Sequence, residues 1–148
     1  MIWVLVSYFF LMNFDIVGAF VATVVGFWFS YLYYSPFFAG PEWMKSIGMD
    51  EPMRKKLQKN KKRITTVFGI TFLVNLLSFM GISYILHLTP YLNWEVVVSL
   101  SIILWFIISG VGLIQSLFQH RNVHTHILST VDDAVRIVVG TSILYIMM

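Results

Sequence analysis

The stretch WEVVVSLSIILWFIISGVGLIQSLF, residues 94–118, carries one charged side chain, Glu95, in its whole length. A helix needs roughly 20 apolar residues to cross the hydrocarbon core of a bilayer, and this run has them. Glu95 falls in the first turn, where the positive end of the helix dipole favours an acid, and Asn93 before it is a natural N-cap. Working outward, the same reading recurs three times. Residues 16–34 and 64–88 precede it, the latter ending at the tight turn Thr89-Pro90-Tyr91-Leu92-Asn93. Residues 127–148 follow it, after a polar stretch from Gln119 to His126 that reads as a loop. The expected fold is all-α: a single integral membrane domain, a bundle of four transmembrane helices.

Composition agrees. Of 148 residues, 58% are hydrophobic and only 11% charged, against about 25% charged in a soluble domain. That excludes a soluble globular enzyme and a disordered chain. With no cysteine, it also excludes a disulfide scaffold. Residues 1–12 form an apolar N-terminal extension. It is too short to span alone and is expected to prolong the first helix or to lie in the interface. No basic residue precedes it and no small-residue cleavage site follows, which argues against a signal peptide.

The first span should end at Ser35, because the residue before a proline is pushed out of the α region. After a turn over 37–41, Glu42 to Gly48 reads as a short interfacial helix, with Trp43 and Met44 toward lipid and Gly48 as its stop. Asp50 is the next N-cap, with Pro52 in the first turn behind it. Eight of the ten Lys and Arg residues lie between Lys45 and Arg63. Seven of them form the run Arg54, Lys55, Lys56, Lys59, Lys61, Lys62 and Arg63, which leads into the second span. Arg121 sits in the connection between spans three and four. The positive-inside rule then sets both basic connections on the cytoplasmic or equivalent side, with both termini opposite. The membrane is a bacterial cytoplasmic membrane or an organelle inner membrane. The run is expected to meet anionic membrane lipids, at about 1 kcal/mol per charge. Its concentration at one span mouth, rather than along a groove, argues against nucleic acid.

The segment Met12-Asn13-Phe14, a glycine-spaced helix, and then Tyr33-Tyr34-Ser35-Pro36-Phe37-Phe38-Ala39-Gly40-Pro41-Glu42-Trp43-Met44 resembles a family of small bacterial membrane proteins. Its members begin Met-Asn, run through one span to an aromatic-Tyr-Ser-Pro turn, and continue to Phe-Gly-x-x-Trp-Met-Lys. The family is known only as a domain of unknown function, number seventeen sixty-one. The resemblance covers about Met12 to the C-terminus, and Tyr34, Ser35, Pro36 and Trp43 carry its most specific part. It implies a four-span layout and no activity. Met1 to Leu11 precede the usual start, and Asp132, Asp133 and Arg136 match no family pattern.

Gly18, Ala22, Gly26 and Ser30 recur at intervals of four and form one small-residue stripe, along which a second helix can approach closely. The stripe packs either against the protein's own spans, the preferred reading in so thin a bundle, or against a partner. Ser101, Ser109, Gly112 and Ser116 make a looser stripe in span three. Asp132, Asp133 and Arg136 are the charges expected inside a span, and their spacing of three and four lets all meet on one helix face. With a helix start at Ile127, Asp132 lies about 8 Å and Arg136 about 13 Å into the span. Each charge at mid-span costs about 2.5–3.5 kcal/mol, so the group is either an intrahelical ion pair, a polar subunit contact, or a proton or ion site. His120, His124 and His126 cluster in the third connection without a nearby carboxylate or cysteine, so no metal is expected, and no cofactor. No phosphate loop, nucleophile elbow or dinucleotide fingerprint occurs. The expectation is a non-enzymatic protein that works by association, as a homo-oligomer or an accessory subunit of a larger membrane assembly. The rival is a small transporter or proton-conducting unit using the acidic pair.

Overall fold

Asp15, Asn60, Asn93 and Asn122 each accept a hydrogen bond from a backbone N–H two or three residues on, at 2.8, 3.1, 2.9 and 2.9 Å, and each opens a long helix. Short side-chain acceptors at these points satisfy donors that the first turn leaves free. In the computed structural model of the chain, residues 15–50, 52, 53, 55, 59–119 and 122–148 are described. They form five helices and no strand. These are α1, Ile16–Tyr33; α2, Gly40–Ser46; α3, Lys61–Leu88; α4, Trp94–Phe118; and α5, Val123–Met147. The expected extension over 1–12 lies outside the described residues.

Three of the five, α1, α3 and α4, are long and apolar enough to cross a membrane. Of the four expected spans these three meet that standard; α5 is as long as α4, but Asp132, Asp133 and Arg136 keep it from the same apolar standard. Its start is corrected. Asn122 caps it, so Val123 to His126 are helical rather than loop, and the charges sit farther from the helix start than expected. Asp132 lies about 13 Å and Arg136 about 20 Å from Val123 at 1.5 Å per residue. The short helix starts at Gly40, two residues early, and ends in a pair of hydrogen bonds, Met49 N–H to the Met44 carbonyl and Gly48 N–H to the Lys45 carbonyl. Gly48 takes φ +67° there, the left-handed conformation that closes such an end without a Cβ penalty. Asp50 caps as expected, accepting from Met53 N–H at 2.9 Å.

α5 is the hub. It packs against α1, α4, α3 and α2, whereas α4 joins the bundle mainly through α5. The most polar long helix therefore stands at the centre and the most apolar one at the side. Inside a bilayer that order is sensible, because lipid accepts an apolar face and only protein can satisfy a polar one. α1 and α3 meet through Phe20, Phe27, Phe68 and Phe72, whose rings lie 5.6–6.2 Å apart. A buried apolar cluster of Ala19, Ala22, Phe79, Leu86, Val97 and Leu144 fills the half of the bundle away from the basic segment.

Candidate functional site

The small-residue stripe of α1 faces α5. A Cβ on Gly18 would meet Asp15 and, at 3.3 Å, Leu144; one on Gly26 would come within 2.9 Å of Arg136 Cγ and 3.9 Å of Phe79. Ala22 is fully buried, and the Ser30 hydroxyl donates to Asp132. Gly18, Ala22 and Gly26 are thus buried within the chain, and Ser30 is half-buried against α5. The looser stripe of α4 also faces α5. Ser101 is buried, Ser109 lies 3.4 Å from Thr130, and a Cβ on Gly112 would come within 3.1 Å of His126.

Asp132, Asp133 and Arg136 do not all meet on one face. Arg136 pairs with Asp133, one turn before it, while Asp132 turns toward α1. There Ser30 Oγ lies 2.8 and 3.0 Å from its two oxygens, and the residue is only 5% exposed. Spacing allowed either aspartate to take the arginine; the position of Ser30 decides which one does. Among the described residues Asp132 therefore has one hydroxyl donor for two carboxylate oxygens, while Asp133 and Arg136 form a part-buried ion pair beside it. Tyr33 adds a bond from its hydroxyl to the Leu128 carbonyl at 3.0 Å, one turn nearer the basic end.

Asp133 also lines a cleft of about 660 Å³ between α4 and α5. Gln115 and Ser116 line it from α4, and Thr125, His126 and Ser129 from α5. His126, assigned to a loop from sequence, is in the first helical turn, with Nε2 3.2 Å from the Thr130 hydroxyl. The signal that could have placed it was Asn122, a capping residue ahead of an apolar-periodic run. A second cleft of about 520 Å³, lined by Trp43, Ser46, Ile47 and Asn122, shares Thr125 and Ser129 with the first. Trp43 lines this cleft and its ring packs edge-on against Tyr34 at 5.4 Å, so it faces protein as well as the interface.

The turn after α1 has a physical reason. Ala39 N–H bonds back to the Tyr33 carbonyl at 2.9 Å, and Gly40 is buried so close to the carbonyl oxygens of Tyr34 and Ser35 that a Cβ would collide with them. Only glycine allows that approach, and it brings α2 beneath the end of α1. Tyr34, Ser35, Pro36 and Trp43 thus fold the chain back at the basic end. Lys59, Lys61, Lys62 and Arg63 are exposed there, as is Lys55, whereas Arg54 and Lys56 lie outside the described residues. His124 and Glu42 are exposed at 4.0 Å from each other, and His120 and Arg121 lie outside the described residues. Among the described residues no group of three His, Cys, Asp or Glu side chains is disposed to hold a metal.

These features define a class: an all-α protein with three helices fit to cross a membrane, packed with a fourth long helix that carries Asp132, Asp133 and Arg136 mid-length. Over residues 17–145 the chain matches the family described as a protein of unknown function, DUF1761, and it belongs to that family. No curated protein and no solved structure matches it.

Proposed function

We propose that this chain is a four-span integral membrane protein that exchanges protons or small cations at the Asp132–Asp133 pair, and that it is not an enzyme. The observation that carries the reading is the position of the charges on the hub helix. Asp132 is 5% exposed and faces α1, while its neighbour Asp133 lines the cleft and pairs with Arg136 one turn on. Three charged groups at this depth cost several kcal/mol together. Apolar side chains of similar size replace buried ion pairs with little loss, or with a gain, so packing alone gives no reason for the charges. A site that takes up and releases a charge does. Arg136 would set the affinity of the carboxylates through its own charge. In proteoliposomes, the parent protein should carry a proton or cation flux that Asp132→Asn and Asp133→Asn abolish; a parent without flux, or mutants that match it, would sink the reading.

In this reading α5 is the fourth span, the two basic connections face the cytoplasm or its equivalent, and both termini lie opposite. A reporter fused after Met148 that reads as cytoplasmic would overturn the orientation. The exposed cations at the basic end would contact anionic headgroups, and the protein would have no nucleic-acid partner.

A second reading, self-association or service as a subunit of a larger membrane assembly, draws on α4. That helix is joined to the bundle mainly through α5, and Ile103, Phe106, Ile107 and Ile114 are exposed on it. Native mass spectrometry separates the two cases: a monomer with no co-purifying partner leaves lipid as the cover of this face.

A further inference from the structure

We infer that the cleft between α4 and α5 is a water-filled path, open only at the basic end of the bundle, along which protons rather than metal cations reach Asp133. The inference rests on the reading of the acidic pair as an exchange site and adds the route and the ion. The route follows from the lining. Thr125, Ser129 and Asp133 recur every four residues along one face of α5, and all three line the cleft. Gly112, Gln115 and Ser116 oppose them from α4, where the glycine leaves room for the His126 ring and Ile107, Ile108 and Val111 form the apolar flank. A volume of about 660 Å³ holds many waters at roughly 30 Å³ each. Thr125 and Ser129 are shared with the second cleft, beside Trp43 and Asn122, which carries polar lining to the basic end.

Beyond Arg136 the character changes. Phe79 lies against Gly140 so tightly that a Cβ there would enter its ring, and Leu86, Val97 and Leu144 are buried around it. Three buried hydroxyls on this side are used within their own helices: Thr23 donates to the Ala19 carbonyl, Ser101 to Val97 and Thr141 to Ile137, at 2.7, 2.8 and 2.7 Å. A fourth, Ser83, lies one turn beyond Phe79 on α3 and accepts from the Asp15 N–H at 3.1 Å. Asp133 therefore meets water from one end and, around Phe79, an apolar layer from the other.

The choice of the proton follows from coordination. A hard metal cation sheds its water only for about six oxygen ligands. Among the described residues Asp133 is the one carboxylate that lines the cleft, it is already paired with Arg136, and the mouth lies at the basic end. A proton needs one acceptor and a chain of waters.

The absence of native cysteine makes the route directly testable in the full-length protein. Single cysteines are introduced by Ser116→Cys and Ser129→Cys in the cleft, by Ser101→Cys and Thr141→Cys on the apolar side, and by Lys61→Cys to report the basic end. Oriented proteoliposomes are then treated from either side with a charged, membrane-impermeant thiosulfonate. Both cleft cysteines should react from the side that labels Lys61→Cys and from no other, and the apolar-side cysteines from neither. Labelling the cleft should abolish proton flux. Cleft cysteines unreactive from both sides, as lipid in the cleft would make them, or reactive from the far side, would overturn the route. A sodium or potassium flux blocked by the same label would overturn the choice of the proton. One-sided labelling with no flux of any ion in the parent would leave the water path standing and remove the exchange reading instead.

Discussion

Along the single seam between α1 and α5, the half near the basic end and the half away from it are held by different physics. Near the basic end, Ser30 bonds to Asp132, Tyr33 to the Leu128 carbonyl, and Arg136 pairs with Asp133. At the other end, Ala19, Ala22 and Leu144 pack with Phe79 from α3, and Gly18 brings α1 close to Leu144. Between helices in lipid there is no hydrophobic driving force, so the apolar half is held by fit alone. Volume is its weak point. The polar half is held by charge balance, and an unmatched charge is its weak point. One helix pair thus has two separate sensitivities, and substitutions can address them in turn.

The largest effect is expected at Gly26, where the halves meet, with Arg136 Cγ 2.9 Å and Phe79 3.9 Å from a Cβ placed there. Gly26→Leu should abolish the folded monomer, read as loss of the monodisperse peak in size-exclusion chromatography. From sequence alone, this change is expected to weaken association between chains, or with a partner, more than folding. Because the stripe is covered by α5, folding is now expected to fail first. A folded monomer that has merely lost a partner would return the stripe to an intermolecular role.

Arg136→Met comes next. It leaves Asp133 with its charge uncompensated in a side chain 26% exposed. Breaking a buried pair from one side costs about 3–5 kcal/mol, and the partial exposure here favours the lower end. Removing both charges, with Asp133→Asn and Arg136→Met together, should restore most of the loss in thermal unfolding in detergent. If the double variant is no more stable than the single one, charge balance does not hold this half.

In the apolar half, Gly140→Ala sets a methyl group against the Phe79 ring and should cost roughly 1–3 kcal/mol, as overpacking does. Phe79→Leu in the same chain should return part of it, an interaction that a double-mutant cycle measures directly. Additive effects would show that the two sites do not touch. The smallest effect is at the mouth of the polar half. Asn122→Ala removes the cap of α5 and should cost about 1 kcal/mol. It should also raise amide exchange from His124 to His126, while α4 stays protected; unchanged exchange there would mean that the cap does not fix the start of the helix.

Much of this was legible in the chain. Residues 94–118 run as expected from first to last, because an apolar run closed by Asn93 and followed by a polar stretch marks both ends. α1 ends one residue before the expected 34, and α3 begins three residues before the expected 64, because Asn60 caps it inside the basic run expected to lead in as one helix. The start of α5 was missed because His124, Thr125 and His126 read as loop when counted one by one. In the fold Asn122 caps them and α4 covers His126. The cleft is hidden for the same reason: Gln119, Thr125 and His126 of its wall read as loop.

What the sequence determined by itself was depth and length. Apolar runs, capping residues and the placement of lysines state which segments are helical and which end carries the positive charge. Tertiary structure alone decided neighbours. A leucine facing lipid and a leucine facing another helix have nearly the same surroundings, so hydropathy cannot say that α5 is the hub or that α4 stands at its side. Asp132 and Asp133 are likewise adjacent in sequence and equally within reach of Arg136. They part only because Ser30 stands on one side of α5 and the cleft lies on the other.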